Sequence, residues 1–187
     1  MARIEPVELD GAPAKARELL EEYATRGGEP GPMVRTMANA PALLRGYLDL
    51  SRAMKRSHLD RRITERIALA AQEWIGCEYC VAAHTEAARK LGLGDRDIAL
   101  ARQGTATDPA IAAIVAFGQQ VIAAPAEIAD ADVDRLRTHG YSDEQIAEVV
   151  GIVSLMLLTG AFNLVAGLEP STTASSAAPP HIPAQGT

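Results

Sequence analysis

The sequence predicts an all-α fold of about eight helices. Alanine and leucine recur throughout the 187 residues, and β-branched residues are scattered rather than alternating as they would in a strand. A hydrophobic fraction of 48% and a charged fraction of 22% argue against wholesale disorder. This length suits one domain with a real core. We therefore expect a single helical domain over residues 1–168.

The boundaries of the helices are predicted from the residues that cap them. We predict helices at residues 12–25, 41–55, 61–76, 77–92, 96–102, 108–123, 131–139 and 142–162. Polar residues that suit a helix start are Asp60, Asp95, Asp108, Asp130 and Ser142. Gln145 completes a capping box with Ser142, and Gly76 is expected to end the third helix. The Gly/Pro-rich residues 27–32 are expected to form a loop.

Two stretches near the C-terminus are assigned by composition. Residues 169–187 are rich in Pro, Ser, Thr and Ala and nearly uncharged, so we expect a flexible tail. Residues 149–168 carry no charged side chain and are about long enough to cross a bilayer. No Lys or Arg follows them and no Trp or Tyr marks their boundaries. We therefore expect a helix buried on all sides, in the core or in a subunit interface, and no membrane insertion.

The charge balance and the first residues limit the compartment and the partners. The chain has 18 Lys+Arg and 24 Asp+Glu, a formal net charge of −6, which is unfavourable for binding nucleic acid. Its first residues, MARIEPVELDG, are charged and interrupted by proline, unlike the apolar segment of a secretory signal. We expect a cytoplasmic protein that binds no nucleic acid.

The two cysteines form the clearest chemical motif. Cys77 and Cys80 stand three residues apart at a predicted helix start, and His84 falls on the same stripe of the helix, within roughly 60°. The sulfurs of such a pair can approach closely enough to form a disulfide. Free backbone N–H groups and the helix dipole at this position favour the thiolate form. Because Gly76 lets the chain turn just before the pair, we expect the cysteines to be accessible at the junction.

Glu65 is the candidate carboxylate for the same site. It lies in an otherwise apolar run of the preceding helix, where an acidic group is costly without a partner. Taken alone it would be a surface carboxylate paired with Arg61 or Arg62, and its register with the cysteines favours a role at the site. The cysteines with His84 and Glu65 could also supply four zinc ligands, although structural zinc usually takes a second cysteine pair from elsewhere. A third alternative is that the thiols are small core hydrophobes.

Together these residues resemble the reactive centre of the carboxymuconolactone decarboxylase superfamily, in its alkylhydroperoxidase D-like (AhpD-like) branch. Three spacings agree: a glutamate twelve residues before the first cysteine, a Cys-x-x-Cys pair, and a histidine four residues after the second cysteine. Leu59, Arg62 and the segment GYSDEQIAEV fit as well. The resemblance covers roughly residues 35–168, with the reactive core at about 59–92. It implies an AhpD-like helical bundle.

The resemblance also implies a thiol-dependent peroxidase that reduces alkyl hydroperoxides or hydrogen peroxide. Cys80 would attack the peroxide, Cys77 would resolve the resulting sulfenic acid as a disulfide, and Glu65 and His84 would relay protons. Tyr79 stands where the best-known members have a histidine, so a shorter relay or slower turnover is expected. The resemblance implies no cofactor or metal. It implies an external dithiol or lipoyl-type reductant protein and assembly into a homotrimer or homohexamer.

Two other functions remain open. A redox-sensing or thiol-disulfide exchange protein would oxidise the pair reversibly without fast peroxidase turnover. A carboxymuconolactone-type decarboxylase is less favoured, because decarboxylation has no use for a redox dithiol. Of the remaining residues, we expect Trp74 in the core or lining a pocket, Glu73 and Glu78 facing solvent, and His58, His139 and His181 outside the site.

Overall fold

The computed structural model describes residues 2–170, apart from the side chain of Arg26 and the burial of Gly27, and this part is helical without a strand. Its nine α-helices are α1 Ala14–Gly27, α2 Pro32–Met37, α3 Pro41–Met54, α4 Arg61–Ile75, α5 Glu78–Lys90, α6 Asp95–Arg102, α7 Pro109–Ala123, α8 Asp130–Thr138 and α9 Asp143–Ala166. Short 3₁₀ turns lie at Leu9–Gly11 and Pro125–Glu127. The all-α prediction is confirmed. Most of the predicted tail, residues 171–187, lies outside the described residues.

Several predicted helix ends agree with the structure. The Asp60 side chain accepts a hydrogen bond from the Arg62 N–H at 2.7 Å, and Asp108 caps α7 in the same way. Ser142 and Gln145 form the reciprocal capping box. Gly76 ends α4 in the left-handed conformation, with φ of +79°. Local side-chain chemistry therefore sets these boundaries.

Three local predictions differ from the structure. Asp95 and Asp130 are the first residues of their helices, and the N-caps are Gly94 and Ala129. A carboxylate in the first turn still favours the helix through its dipole, which explains why both residues lie near a helix start. The loop expected at residues 27–32 ends earlier than predicted, because Pro32 begins α2. Proline suits that first position, where no backbone N–H is needed.

The central helix of the structure is α4, which packs against α5, α6, α7 and α9. Its residues 67–71 are almost completely buried. Ile67 joins Ile114 of α7 and Val149 of α9 in the largest apolar cluster. Glu65, near the start of α4, and Gln72, near its end, are therefore held in place by packing on several sides.

A second apolar cluster joins the N-terminal helices to α9. Its side chains include Leu20, Met37, Leu44 and Phe162. The backbone N–H of Arg3 donates to the Ala166 carbonyl at 2.7 Å, and the Arg3 guanidinium donates to the Leu164 carbonyl at 2.6 Å. These contacts hold α1 to α3 against α9, where they supply one wall of the site described below.

The long apolar helix α9 is buried on one face only within the single chain, so the core alone does not cover it, and burial of its other face in a subunit interface stays a prediction. By length and composition it could cross a membrane, but half of its most apolar stretch is buried inside the protein. Val150, Leu157, Leu164 and Val165 are between 42% and 63% exposed. Core packing explains the apolar character of one face, and the other face is uncovered in the single chain.

Two helical glycines provide a test of the packing between α7 and α4. A Cβ added at Gly118 would lie 2.9 Å from Ile67 Cγ2, whereas a Cβ at Gly46 of α3 would meet nothing within 4 Å. We predict that Gly46→Ala raises the free energy of unfolding by about 0.5–1 kcal/mol through helix propensity. Gly118→Ala has the same propensity gain but overpacks the core, and should lower stability by about 1 kcal/mol. Urea unfolding of both variants checks this, and equal gains would contradict the close approach.

Candidate active site

The turn between α4 and α5 places both cysteines. The N–H groups of Gly76 and Cys77 donate to the Gln72 carbonyl at 3.0 and 3.1 Å, which closes α4 and starts the chain into α5. Cys77 is the N-cap of α5, and its sulfur accepts a hydrogen bond from the Cys80 N–H at 3.3 Å. Cys80 therefore lies in the first turn of α5, where the positive end of the helix dipole favours a negative charge.

Cys77 and Cys80 are joined by a disulfide, with their Cα atoms 5.3 Å apart. Both residues are buried, with exposures of 1% and 4%. The expectation that the junction leaves them accessible is wrong, because α9 and the N-terminal helices cover it. Among the described residues, a cavity offers a route to the sulfur of Cys80.

A cavity of about 340 Å³ leads to Cys80. Its polar lining includes Glu65, Tyr79, His84 and Asn163 in addition to Cys80, and Cys77 is not among the lining residues. The two sulfurs thus have different surroundings. Cys80 faces the space that a small molecule could enter, and Cys77 lies behind it.

Glu65 and His84 form a pair at the cavity wall, in which Glu65 is buried and His84 is partly buried. The Nδ1 atom of His84 lies 2.7 Å from Glu65 Oε2, and the Arg61 guanidinium lies 3.8 Å from the other carboxylate oxygen. Glu65 is therefore a buried carboxylate of the site and not a surface carboxylate that pairs only with Arg61. With the proton on Nδ1, His84 donates to Glu65 and its Nε2 atom is left to accept a proton.

Tyr79 lies at the same wall as a neutral phenol. Burial raises the pKa of Tyr79, a backbone hydrogen bond with Met33 opposes this rise, and the nearby Tyr23 adds to it. Because the pKa of Tyr79 lies above that of an ordinary phenol, the group keeps its proton at neutral pH. It can donate a hydrogen bond in the cavity but is a poor base.

Asn163 of α9 contacts the reactive pair and was missed by the sequence reasoning. Its Nδ2 group donates to the Cys80 sulfur at 3.2 Å, and the residue is only 2% exposed. The sequence showed it as a polar residue interrupting an apolar stretch. A polar residue in an apolar helix indicates that its side chain has a buried partner. The sequence does not show that this partner is a cysteine 83 positions away.

Gln72 is the second polar residue that sequence reasoning missed. Its side-chain amide is buried and donates to the Met156 carbonyl at 3.0 Å and to the Thr159 hydroxyl at 3.3 Å, both on α9. The backbone carbonyl of Gln72 accepts a hydrogen bond from the backbone N–H of Cys77. Gln72 therefore ties the cysteine turn to the helix that carries Asn163, four residues beyond Thr159.

Other residues near the cysteines play smaller parts. Trp74 is 51% exposed, so the prediction that it lies in the core or lines a pocket is wrong. Glu78 is exposed, while Glu73 is partly buried and accepts from Arg102 at 2.8 Å rather than facing solvent alone. Neither acid is hydrogen-bonded to the cysteines.

Among the described residues, the histidines other than His84 lie away from the cysteines. His58 lies beside Glu144 and Glu148, His139 is the C-cap of α8, and His181 falls outside the described residues. Within residues 2–170, His58 and those two acids are the one group spaced closely enough to share a metal ion. The zinc alternative at the cysteines has no support in this geometry, since both sulfurs are used in the disulfide.

Comparison with known proteins agrees with this description. Residues 41–123 match the model of the carboxymuconolactone decarboxylase family. The uncharacterized protein YdfG of Bacillus subtilis (strain 168) is 26% identical over 119 residues, which are 62% of this chain and 80% of that protein.

Two solved structures show the shared fold. An AhpD core from Ralstonia eutropha JMP134, described as an uncharacterized peroxidase-related protein, superposes with a TM-score of 0.80 at 24% identity, covering 92% of this chain and 93% of that one. The debrominase Bmp8 superposes with a TM-score of 0.75 at 19% identity, covering 92% and 94%. At these identities the likeness establishes the fold alone.

The Asn163 contact predicts an effect on thiol reactivity. Asn163→Leu keeps the side-chain volume but removes the N–H that donates to the Cys80 sulfur. In the reduced protein, alkylation by iodoacetamide at neutral pH should slow by about tenfold, because a hydrogen bond to a charged group is lost. The matched control is Ser154→Ala, which changes an exposed residue of the same helix. Equal alkylation rates in the two variants would remove Asn163 from the thiol environment.

Proposed function

Because residues 41–123 match the model of the carboxymuconolactone decarboxylase family and the chain has the AhpD-like fold, we propose that it is a thiol-dependent peroxidase. It would reduce alkyl hydroperoxides or hydrogen peroxide through a Cys77–Cys80 disulfide cycle. The observation that carries the proposal is the arrangement at the cavity wall. Cys80 faces the cavity beside the Glu65–His84 pair, and Cys77 lies within disulfide distance behind it.

The first half of the cycle oxidises Cys80. In the reduced protein, Nε2 of His84 takes the proton of the Cys80 thiol, directly or through a water molecule, while Glu65 holds the imidazole by its Nδ1 atom. The thiolate attacks the terminal peroxide oxygen, and the O–O bond breaks. His84 returns the proton to the leaving alkoxide. The products are an alcohol, or water from hydrogen peroxide, and a sulfenic acid on Cys80.

The second half of the cycle involves Cys77. The Cys77 thiolate attacks the Cys80 sulfenic sulfur, and hydroxide leaves and is protonated to water as the disulfide forms. An external dithiol then supplies two electrons and two protons to restore both thiols. Because Cys80 is reached through a cavity, a slender lipoyl-type arm suits this step better than a broad protein surface. This cycle needs neither a metal nor a bound cofactor.

Assembly and compartment belong to the same proposal. The uncovered apolar face of α9 supports a homotrimer or homohexamer, since large exposed apolar patches are uncommon on monomers. We place the protein in the cytoplasm, where a dithiol pool could keep the pair reduced between turnovers. A redox sensor would use the same disulfide, but it would not require an acid-base pair beside the attacking sulfur.

The two cysteines should differ in their effect on turnover. Cys80→Ser removes the attacking sulfur, so peroxide consumption with a dithiol donor should fall to the uncatalysed background. Cys77→Ser keeps that sulfur, and should still reduce about one equivalent of peroxide per protein before it stalls as a sulfenic acid. Peroxide loss followed in both variants checks the assignment. A stoichiometric burst in Cys80→Ser and none in Cys77→Ser would reverse the two roles.

Glu65 is predicted to act through His84. Glu65→Gln removes the charge that orients and stabilises the imidazolium, so kcat for peroxide reduction should fall about a hundredfold, within the range of acid-base contributions. Glu86→Gln, on the exposed side of α5 and paired with Lys90, is the matched control and should leave kcat unchanged. Steady-state kinetics over a range of pH provides the comparison. An unaltered kcat and pH profile in Glu65→Gln would exclude it from the relay.

A further inference from the structure

Most of the tyrosines of this chain line the Cys80 cavity. The whole sequence has four tyrosines, and three of them, Tyr23 of α1, Tyr47 of α3 and Tyr79 of α5, line this one space. The buried residues of the apolar clusters are mainly Leu, Ile, Val and Ala, and Tyr23 and Tyr47 pack against one of these clusters. Three rings supplied by three different helices therefore give the cavity an aromatic wall.

The remaining walls of the cavity suit a flat ring. Met33, Met54 and Met156, three of the five methionines in the sequence, line it together with aliphatic side chains. Thioether side chains adapt their shape and make favourable contacts with aromatic rings. Burial raises the pKa of both Tyr47 and Tyr79, so these phenols stay uncharged near neutral pH. At about 340 Å³, the cavity falls in the lower range of small-molecule sites.

Two cationic side chains line the cavity although the chain as a whole is acidic. Residues 52–62 contain five Lys+Arg and one acid, in a sequence whose net charge is −6. Two of the five, Lys55 and Arg61, are exposed residues that line the cavity. A local positive charge at a concave opening attracts an anionic ligand.

Lys55 is the cation that is free to meet such a ligand. Arg61 lies near Glu65, and Arg52 is paired with Glu22, which also binds Arg45. Across residues 2–170, by contrast, no acidic side chain forms an ion pair with Lys55. The ammonium group of Lys55 is therefore exposed and has no acidic partner within this part of the chain. Together with the tyrosine lining, it could bind a ligand that has both an apolar ring and an anionic group.

We infer that the cavity binds a flat aromatic molecule that carries one anionic group, with the ring among Tyr23, Tyr47 and Tyr79 and the anion at Lys55. If the cavity binds such a molecule and the proposed peroxidase function holds, the preferred substrate is the hydroperoxide of an aromatic acid, with the peroxide directed toward Cys80. Only this substrate preference rests on the proposed function. The binding itself requires no reaction. An acidic protein docked at Lys55 would not account for the tyrosine lining inside.

The test uses the full-length protein in its disulfide form and three probes that cannot react with it. Isothermal titration calorimetry compares naphthoate, its neutral isostere naphthamide, and the linear carboxylate decanoate. Naphthoate should bind roughly three- to fivefold more tightly than naphthamide, the range of an exposed ion pair, and the difference should shrink at high salt. Naphthoate should also bind more tightly than decanoate, because only the ring fits the tyrosine walls.

Variants assign the charge preference to one residue. Lys55→Met keeps the length of the side chain and should make naphthoate and naphthamide bind equally, with naphthamide affinity unchanged. Lys15→Met, which changes a lysine that does not line the cavity, should preserve the preference. Equal affinities in the wild-type protein, a preference retained in Lys55→Met, or tighter binding of decanoate would each overturn the inference. Because no turnover is measured, these results are independent of whether the protein reduces peroxides.

Discussion

The left-handed turn at Gly76 is the constraint on which the candidate site depends. It reverses the chain between α4 and α5 within two residues, so that the first turn of α5 begins beside the end of α4. The reversal places Cys77 at a helix N-cap and sets His84 of α5 opposite Glu65 of α4. A side chain at position 76 would meet no neighbour, so glycine is favoured there by its positive φ rather than by lack of space.

Burial of α4 holds Glu65 and the cysteine turn in fixed positions. Packing on several sides fixes the helix that carries Glu65, and Gln72 ties the cysteine turn to α9. Because α9 then brings Asn163 to the Cys80 sulfur, the two cysteines have unequal surroundings. The N-terminal helices close the space above Cys80 and add tyrosine walls to it. The helices that shield the sulfurs from bulk solvent therefore also form the walls of the cavity that leads to Cys80.

Local chemistry was readable from the sequence, and contacts between distant segments were not. The caps at Asp60, Asp108 and Ser142 depend on residues a few positions apart, so spacing predicts them. The register of Glu65 with the cysteines spans twelve residues of two successive helices and was also visible in the spacing. Asn163 reaches Cys80 only through the packing of α9, which periodicity does not describe. The same limitation explains the errors over cysteine access and Trp74, since both depend on which surfaces the other helices cover.

The central claim is that the buried pair turns over with peroxide, and single-turnover kinetics tests it most directly. The reduced protein is mixed with a limiting hydroperoxide, peroxide loss is followed by stopped flow, and disulfide content is measured by quenched thiol labelling. The account predicts that one disulfide forms for each peroxide consumed, and that both processes are much faster than with a free dithiol. Disulfide formation no faster than in that reference, or peroxide loss without disulfide, would contradict it.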